Sequence, residues 1–206
     1  MMIADRIKQP CFVSGGTLLL IATAIISSAC SSRVAEIADV KERMDSRTGV
    51  TVSYAEVPFV FYRDRFGKAA YARNFVNIAP IRINRMGQHQ YFLWFGIWST
   101  AQTPDRIEER DGFETVYLFV DGEPFELELV GWTVDSIGAS EPIYSRPVST
   151  AAEAFYLINV DQVRLIAHAS DLRLRTSGAQ PESYELWDSQ LSAKRSFESF
   201  LRSVNF

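Results

Sequence analysis

Two histidines, His89 and His168, and two cysteines, Cys11 and Cys30, are all that this 206-residue chain holds of those types. With no His-x-x-x-His or related spacing, a zinc site built from His and Cys is nearly excluded. A catalytic triad needs a histidine beside an activated serine, and no Gly-x-Ser-x-Gly elbow occurs. There is no glycine-rich phosphate loop, and Asp121-Gly122-Glu123 lacks the alternating acids of a calcium loop. No catalytic residue, metal or cofactor is therefore expected. Repeats and low-complexity segments are missing too. So is an apolar run of the roughly 20 residues that cross a bilayer core. The nearest approach, Thr17 to Ile26, is uncharged but short, and extending it back to Cys11 takes in Ser14, Gly15 and Gly16.

That short run belongs to a three-part pattern. Met1 to Pro10 carries Arg6 and Lys8 against Asp5, the uncharged stretch follows, and Ser27-Ser28-Ala29 leads into Cys30. A positive start, an apolar middle and a small-residue exit make a secretory signal. A single-pass anchor is the rival reading, and length counts against it.

The exit resembles the lipobox of bacterial lipoproteins, in which small residues precede a cysteine that receives diacylglycerol. Ala29 and Ser28 suit the last two positions, while Ser27 departs from the leucine usual three places before the cysteine. The resemblance implies cleavage before Cys30, lipid attachment at Cys30 and membrane association through the acylated residue. Ser31, in place of the aspartate that retains many such proteins at the inner membrane, implies an outer-membrane location facing the periplasm. Cysteine usage agrees, because Cys11 leaves with the signal. A lone remaining thiol is a liability in an oxidising compartment unless it is modified. Each buried CH₂ of an acyl chain contributes about 0.8 kcal/mol, so several chains hold a protein far more firmly than one.

Residues 1–29 are thus read as signal, 30–48 as a lipidated tether and 49–206 as one domain. Removing the signal leaves 177 residues, enough for a proper core, with 14 Phe, 8 Tyr and 4 Trp in the chain to fill it. The net charge of −4 becomes −5 without Arg6, Lys8 and Asp5. A mildly acidic chain argues against nucleic-acid binding, which needs a basic face.

In the tether, Val34, Ile37, Val40 and Met44 fall near helical spacing, so a short amphipathic helix and a flexible linker both fit. From Gly49 the period becomes two. Strands are predicted over Val50–Tyr54, Val57–Tyr62 and Asn74–Asn84, with Pro80 marking a bulge or an edge. After a turn at Met86-Gly87-Gln88, the run Gln90 to Trp98 is apolar on both faces and reads as a central strand between two layers. Val116 to Leu129 reads as a hairpin about Asp121-Gly122, a dipeptide suited to a type I′ turn. A 17-residue irregular stretch, Gly131 to Pro147, is read as a surface loop packing Trp132 and Ile143 onto the sheet, its length being the one hint of function. Strands at Ala154–Ile158, Leu172–Thr176 and Tyr184–Trp187 follow. Between the first two, Asn159 and Gln162 announce a capping box for a short helix. A final helix, capped by Asp188 or Ser189, carries a stripe of Leu191, Phe197, Phe200, Leu201 and Val204.

The fold expected is α+β and mainly antiparallel β, a sandwich or a strongly curved sheet, with two helices near the C-terminus. The element order loosely resembles small exported bacterial β-sandwich proteins of uncharacterised families, a likeness that implies no site.

Chemistry is scarce. Glu126 and Glu128 share one face of a strand about 7 Å apart, a separation glycosidases use, though solvent-facing glutamates explain them as well. Tyr91, Trp94, Trp98 and Trp132 suit either a core or a sugar or acyl groove; the three tryptophans stand as ligand-binding candidates. Residues 60–90 hold six cations against Asp64, a net of +5, and residues 105–130 hold nine acids against Arg106 and Arg110, a net of −7. Pairing of these segments across the sheet is the expectation, since sequential strands usually neighbour one another. The leading functional reading is a non-catalytic, membrane-anchored lipoprotein that binds or scaffolds envelope proteins or glycans. The alternatives are an envelope hydrolase using a carboxylate pair, and a carrier of an apolar ligand.

Overall fold

Side chains alternating at period two build most of the chain. The computed structural model describes residues 39–65, 72–101 and 110–204, so the signal, Cys30 and the first half of the proposed tether lie outside the described residues. The strands run β1 (Val40–Met44), β2 (Thr51–Ala55), β3 (Phe59–Asp64), β4 (Arg73–Arg85), β5 (Gln88–Ser99), β6 (Thr115–Val120), β7 (Glu123–Gly131) and β8 (Ala152–Ile158). Helix α1 (Val160–His168), β9 (Leu172–Thr176), β10 (Ser183–Leu186) and helix α2 (Leu191–Val204) complete the order.

All pairings are antiparallel, and eight strands close on themselves in the order β4-β3-β10-β9-β6-β7-β8-β5, with β5 returning to β4. The sheet is thus a barrel, not the expected sandwich; of the two shapes anticipated, the strongly curved sheet is the nearer. Its last seam joins β7 to β8 through Leu129↔Tyr156 and Gly131↔Phe155, with a bulge between. These strands are separated by the long 131–151 connection, and nothing local to either announces the seam.

Strands β1 and β2 stand outside the ring. Residues 40–44, expected in a helix or linker, pair with β2 instead, so the described fold begins at Asp39 rather than Gly49. The 13-residue β4 makes this possible, because it changes partner along its length. Its first half pairs with β3 as far as Ile78, and its second half pairs with β2 from Ile81 onward. Pro80, which lacks an N–H, falls in the gap between them and costs no ladder bond on that side.

Inward residues of the ring form one core that includes Phe59, Phe61, Ile78, Phe95, Leu118, Tyr156, Leu174 and Tyr184. An eight-stranded barrel is just wide enough for side chains to fill, and these aromatic rings fill this one. Both helices join that core. The Asn159–Gln162 capping box forms in both directions and starts α1, which buries Val163, Ile166 and Ala167. Helix α2 buries Ala193, Phe197, Phe200 and Leu201, whereas Leu191 is exposed. The first backbone bond of α2 runs from the Lys194 N–H to the Gln190 carbonyl, which puts Gln190, not Asp188 or Ser189, at the cap. Phe197 meets Phe59 at 4.6 Å between ring centres. The helices therefore close the barrel end where β3, β5 and β9 begin.

A second core lies outside the barrel wall. Val52, Ile81, Phe92, Trp94 and Phe155 face outward and are covered by Ile137, Ala139 and Ile143 of the long loop. This explains why β5 is apolar on both faces. The loop is pinned by Asp45, fully buried, whose carboxylate accepts from the backbone N–H of Ser140 (2.5 Å) and Glu141 (3.1 Å), the Ser140 hydroxyl (2.7 Å) and the N–H of Arg47 and Thr48. Arg43 pairs with Glu141 at 2.5 Å, and the Tyr144 hydroxyl donates to the Ala55 carbonyl at 2.7 Å. Ile143 packs on this outer core and Trp132 against the inner one, so both pack back onto the sheet.

Candidate functional site

The barrel end opposite the helices is lined by polar groups. There a cavity of about 260 Å³ is bounded by Arg65, Asn74, Ile97, Trp98, Asp111, Phe113, Ala179, Gln180, Glu182 and Tyr184. Five segments of sequence supply it: the end of β3, the start of β4, the end of β5, the approach to β6 and the β9–β10 connection. Two of these meet backbone to backbone. The Ser177 N–H donates to the Gly112 carbonyl at 3.1 Å, and a Cβ added to Gly178 would sit 2.9 Å from the Gly112 Cα. Glycine at both positions lets the loops touch, which sets Asp111 and Phe113 against Ala179 and Gln180.

Asn74 and Tyr184 occupy inward register positions, where the alternation of their strands places apolar residues deeper in the ring. The Tyr184 hydroxyl donates to Glu182 Oε2 at 2.9 Å, and the same carboxylate pairs with Arg63. Burial above all, then the charge of Glu182 and the hydrogen bond to it, push the Tyr184 phenol well above its ordinary range, against opposing pulls from Arg63 and Asn74. The phenol therefore stays protonated at physiological pH. Glu182 is satisfied on both oxygens. The Asn74 side chain hydrogen-bonds the Tyr184 phenol, while its buried Oδ1 meets no donor among the described residues.

Trp98 links the cavity to an aromatic shelf on the outer wall. Its ring stacks on Phe75 at 4.3 Å, and Phe75 and Tyr62 both meet Trp187. The Arg73 guanidinium lies over Tyr62 and Trp187, at 5.6 and 5.1 Å from their ring centres, and pairs with Asp64 at 2.7 Å. Trp98 Nε1 donates to Asn77 Oδ1 at 3.4 Å.

No family model matches this chain, and neither does any curated protein or solved structure. The reading of its site rests on its own geometry.

The three tryptophans singled out from sequence are not brought together. Trp98 reaches the cavity. Trp94 lies on the same strand face but is 2 % exposed, stacked under Tyr144 at 4.1 Å, with Nε1 donating to Glu153 Oε1 at 3.3 Å. It is core. Trp132 is half-buried, with the Arg110 guanidinium 5.0 Å from its ring centre. Glu126 and Glu128 are exposed on the outside of β7, opposite Tyr117 and Thr115, while Leu127 between them is buried. His89 and His168 are exposed, His89 within β5 rather than in a turn, and among the described residues no three His, Cys, Asp or Glu side chains converge on a metal-sized site.

The charged segments do not pair either. Strands β3 and β4 of the basic stretch neighbour β10, β2 and β5, whereas β6 and β7 of the acidic stretch neighbour β9 and β8. The cations find other partners, Arg63 with Glu182, Arg73 with Asp64 and Arg82 with Glu42 at 3.0 Å.

Proposed function

We propose that this chain is a lipid-anchored lipoprotein of the bacterial envelope, facing the periplasm from the outer membrane, with a binding role and no reaction of its own. The sequence of residues 1–30 carries this reading: a positive start, a short apolar run and small residues before Cys30. Val40 opens the first strand ten residues after Cys30, a reach of at most about 36 Å. Such a tether would hold the domain beside the membrane surface. Among the described residues no helix is long and apolar enough to cross a membrane.

Features of the domain support binding over the two alternatives. A carrier of an apolar ligand needs an empty apolar cavity, and the barrel interior is occupied by Phe61, Phe95, Tyr156, Phe197 and Phe200, each fully buried. A hydrolase built on Glu126 and Glu128 needs a cleft between two carboxyls, and these two project from a convex wall. The cavity lies elsewhere, at the barrel end opposite the helices.

Intact mass of the protein from its native host, extracted from membranes, tests the anchor. Expected is a chain beginning at Cys30 and carrying acyl mass, with Cys30→Ser leaving the membrane fraction. A chain still beginning at Met1, or trimmed and unacylated, would remove the reading.

A further inference from the structure

Seven large apolar side chains stand exposed among the described residues, and five of them gather at the barrel end that the helices close: Met44, Met86, Leu157, Leu165 and Leu191. Single exposed apolar residues need no explanation, but a group at one end does. Leu157 is the penultimate residue of β8, just before α1, and Leu165 and Leu191 are exposed on the two helices. The register brings both methionines to the same end. Met44 lies opposite Thr51, and Thr51 opposite Asn84, so the β1–β2 and β4–β5 turns come out side by side. Strand β5 last meets β8 at Tyr91, opposite Arg82, and three further residues carry β4 about 10 Å beyond that level, roughly the thickness of a helix. Met86 is there against local preference. It is fully exposed, and its φ of +52°, followed by +87° at Gly87, belongs to a turn that favours Asn, Asp or Gly in its place. An apolar side chain held out on an unfavourable backbone points to a contact.

Charge at this end runs against the rest of the chain. The two helices and residues 45–50 and 85–88 carry six cations and three acids, a net of +3 in a chain of net −4. Arg47, Arg85 and Arg195 are exposed and form no ion pair among the described residues. The chain also enters the fold here, since the Ser196 hydroxyl of α2 donates to the Asp39 carbonyl at 2.9 Å, and Cys30 lies only nine residues before Asp39. We propose that the helix-closed end is a membrane-contact face, fitted to a bilayer that bears anionic headgroups. Met44, Met86, Leu165 and Leu191 enter the interface, and Arg47, Arg85 and Arg195 meet the lipid phosphates. This rests on the lipid-anchored reading above and adds to it an orientation, one that turns the polar cavity at the opposite end away from the membrane.

Every described strand, helix and core side chain lies between residues 40 and 204, so a chain beginning at Ser31 keeps the whole fold without signal or lipid. Its co-sedimentation with vesicles of phosphatidylethanolamine containing a quarter phosphatidylglycerol, compared with pure phosphatidylcholine, tests the face. A basic residue beside an anionic surface is worth about fivefold in partitioning. Binding to the anionic vesicles should therefore be at least about tenfold the stronger, and it should fall away in molar salt. Arg47→Gln combined with Arg195→Gln should weaken it by at least about tenfold. Met86→Asn gives the turn a residue its backbone prefers, so the fold should be as stable or more so, yet binding should drop several-fold. A chain beginning at Cys30, coupled through its only thiol to a maleimide-bearing lipid in the same vesicles, should show slowed hydrogen exchange over residues 45–50 and 85–90 and unchanged exchange over 177–182. Binding no stronger to anionic than to neutral vesicles, unchanged binding by the folded variants, or protection at the cavity end instead would overturn the assignment. Acylated Cys30 in the native protein without protection of the two turns leaves the anchor standing and removes the contact face. Protection without native acylation keeps the face and removes the anchor.

Discussion

Gly96 shows how little freedom single positions have. A Cβ added there would lie 2.5 Å from Cη2 of Trp94, and that ring is held between Tyr144 and Glu153. Gly96→Ala is therefore expected to cost about 1–3 kcal/mol in chemical denaturation, with a change in tryptophan emission, because an indole fixed on both sides cannot yield. Three of the eight tyrosines are similarly committed. Burial raises the phenols of Tyr144, Tyr156 and Tyr184 above the ordinary 10.0. A raised folded value means that their contribution to stability is complete below pH 10 and is lost as pH climbs beyond it. Absorbance titration should show these three ionising late, together with unfolding. Tyr156→Phe, which leaves the Phe113 carbonyl without its 2.6 Å donor, should cost about 1–3 kcal/mol. None of these roles is visible in sequence, where Trp94 and Trp98 look interchangeable. One is covered by Tyr144, some fifty positions away, and the other is not.

Among the elements, the helical plug and the long loop carry the most consequence. Phe197→Ala removes a fully buried ring from the joint between α2 and the barrel, and a loss of about 3–5 kcal/mol is expected in denaturant melts. The loop depends on a carboxylate. The Ser140 backbone N–H, with its hydroxyl and the N–H groups of Thr48 and Arg47, holds Asp45 below the ordinary 3.8 although burial opposes this. A depressed folded value gives stability that is full above about pH 4 and drains away as pH falls below it. Asp45→Asn should accordingly lower Tm at pH 7 by more than it does near pH 3, and hydrogen exchange should rise first in residues 131–150. Most elements were legible beforehand because their signals are local: the alternation of β4, the Asp121-Gly122 turn with φ of +50° and +92°, and the Asn159–Gln162 cap. Strand β1 was not. Its five residues, VKERM, carry three charges and no alternation that outweighs a helical reading, and only the partner β2 makes them a strand.

At the scale of the whole molecule, closure is the property that sequence could not convey. A sandwich and a barrel share strand lengths and turn residues, and they differ in who pairs with whom at the seam. The cavity follows from closure, since Arg65, Asn74, Trp98, Asp111, Gln180 and Glu182 become neighbours only once β4, β5, β6, β9 and β10 share one rim. The single hint was Asn74, a polar residue at an inward register position. The segregation of charge is global in the same way: the run of strands β6 and β7 sits across the ring from β3 and β4, and Arg82, Arg73 and Arg63 are neutralised by Glu42, Asp64 and Glu182 instead.

The ribbon of β1 and β2 lies outside the closed ring, joined to it through β4, and the N-terminal side of the chain enters the fold through it. A pull from that side meets rungs that open in succession, as a zipper does, while the ring behind them stays shut. Stretched between its two ends in a force spectrometer, the protein should give way in two stages. Release of the roughly 16 residues from 40 to 55 comes first, resisted by Asp45 on the long loop and by Val50 and Val52 in the outer core, and rupture of the barrel follows. Load applied at this end is thus expected to reach the rim of the barrel only after the ribbon has lengthened.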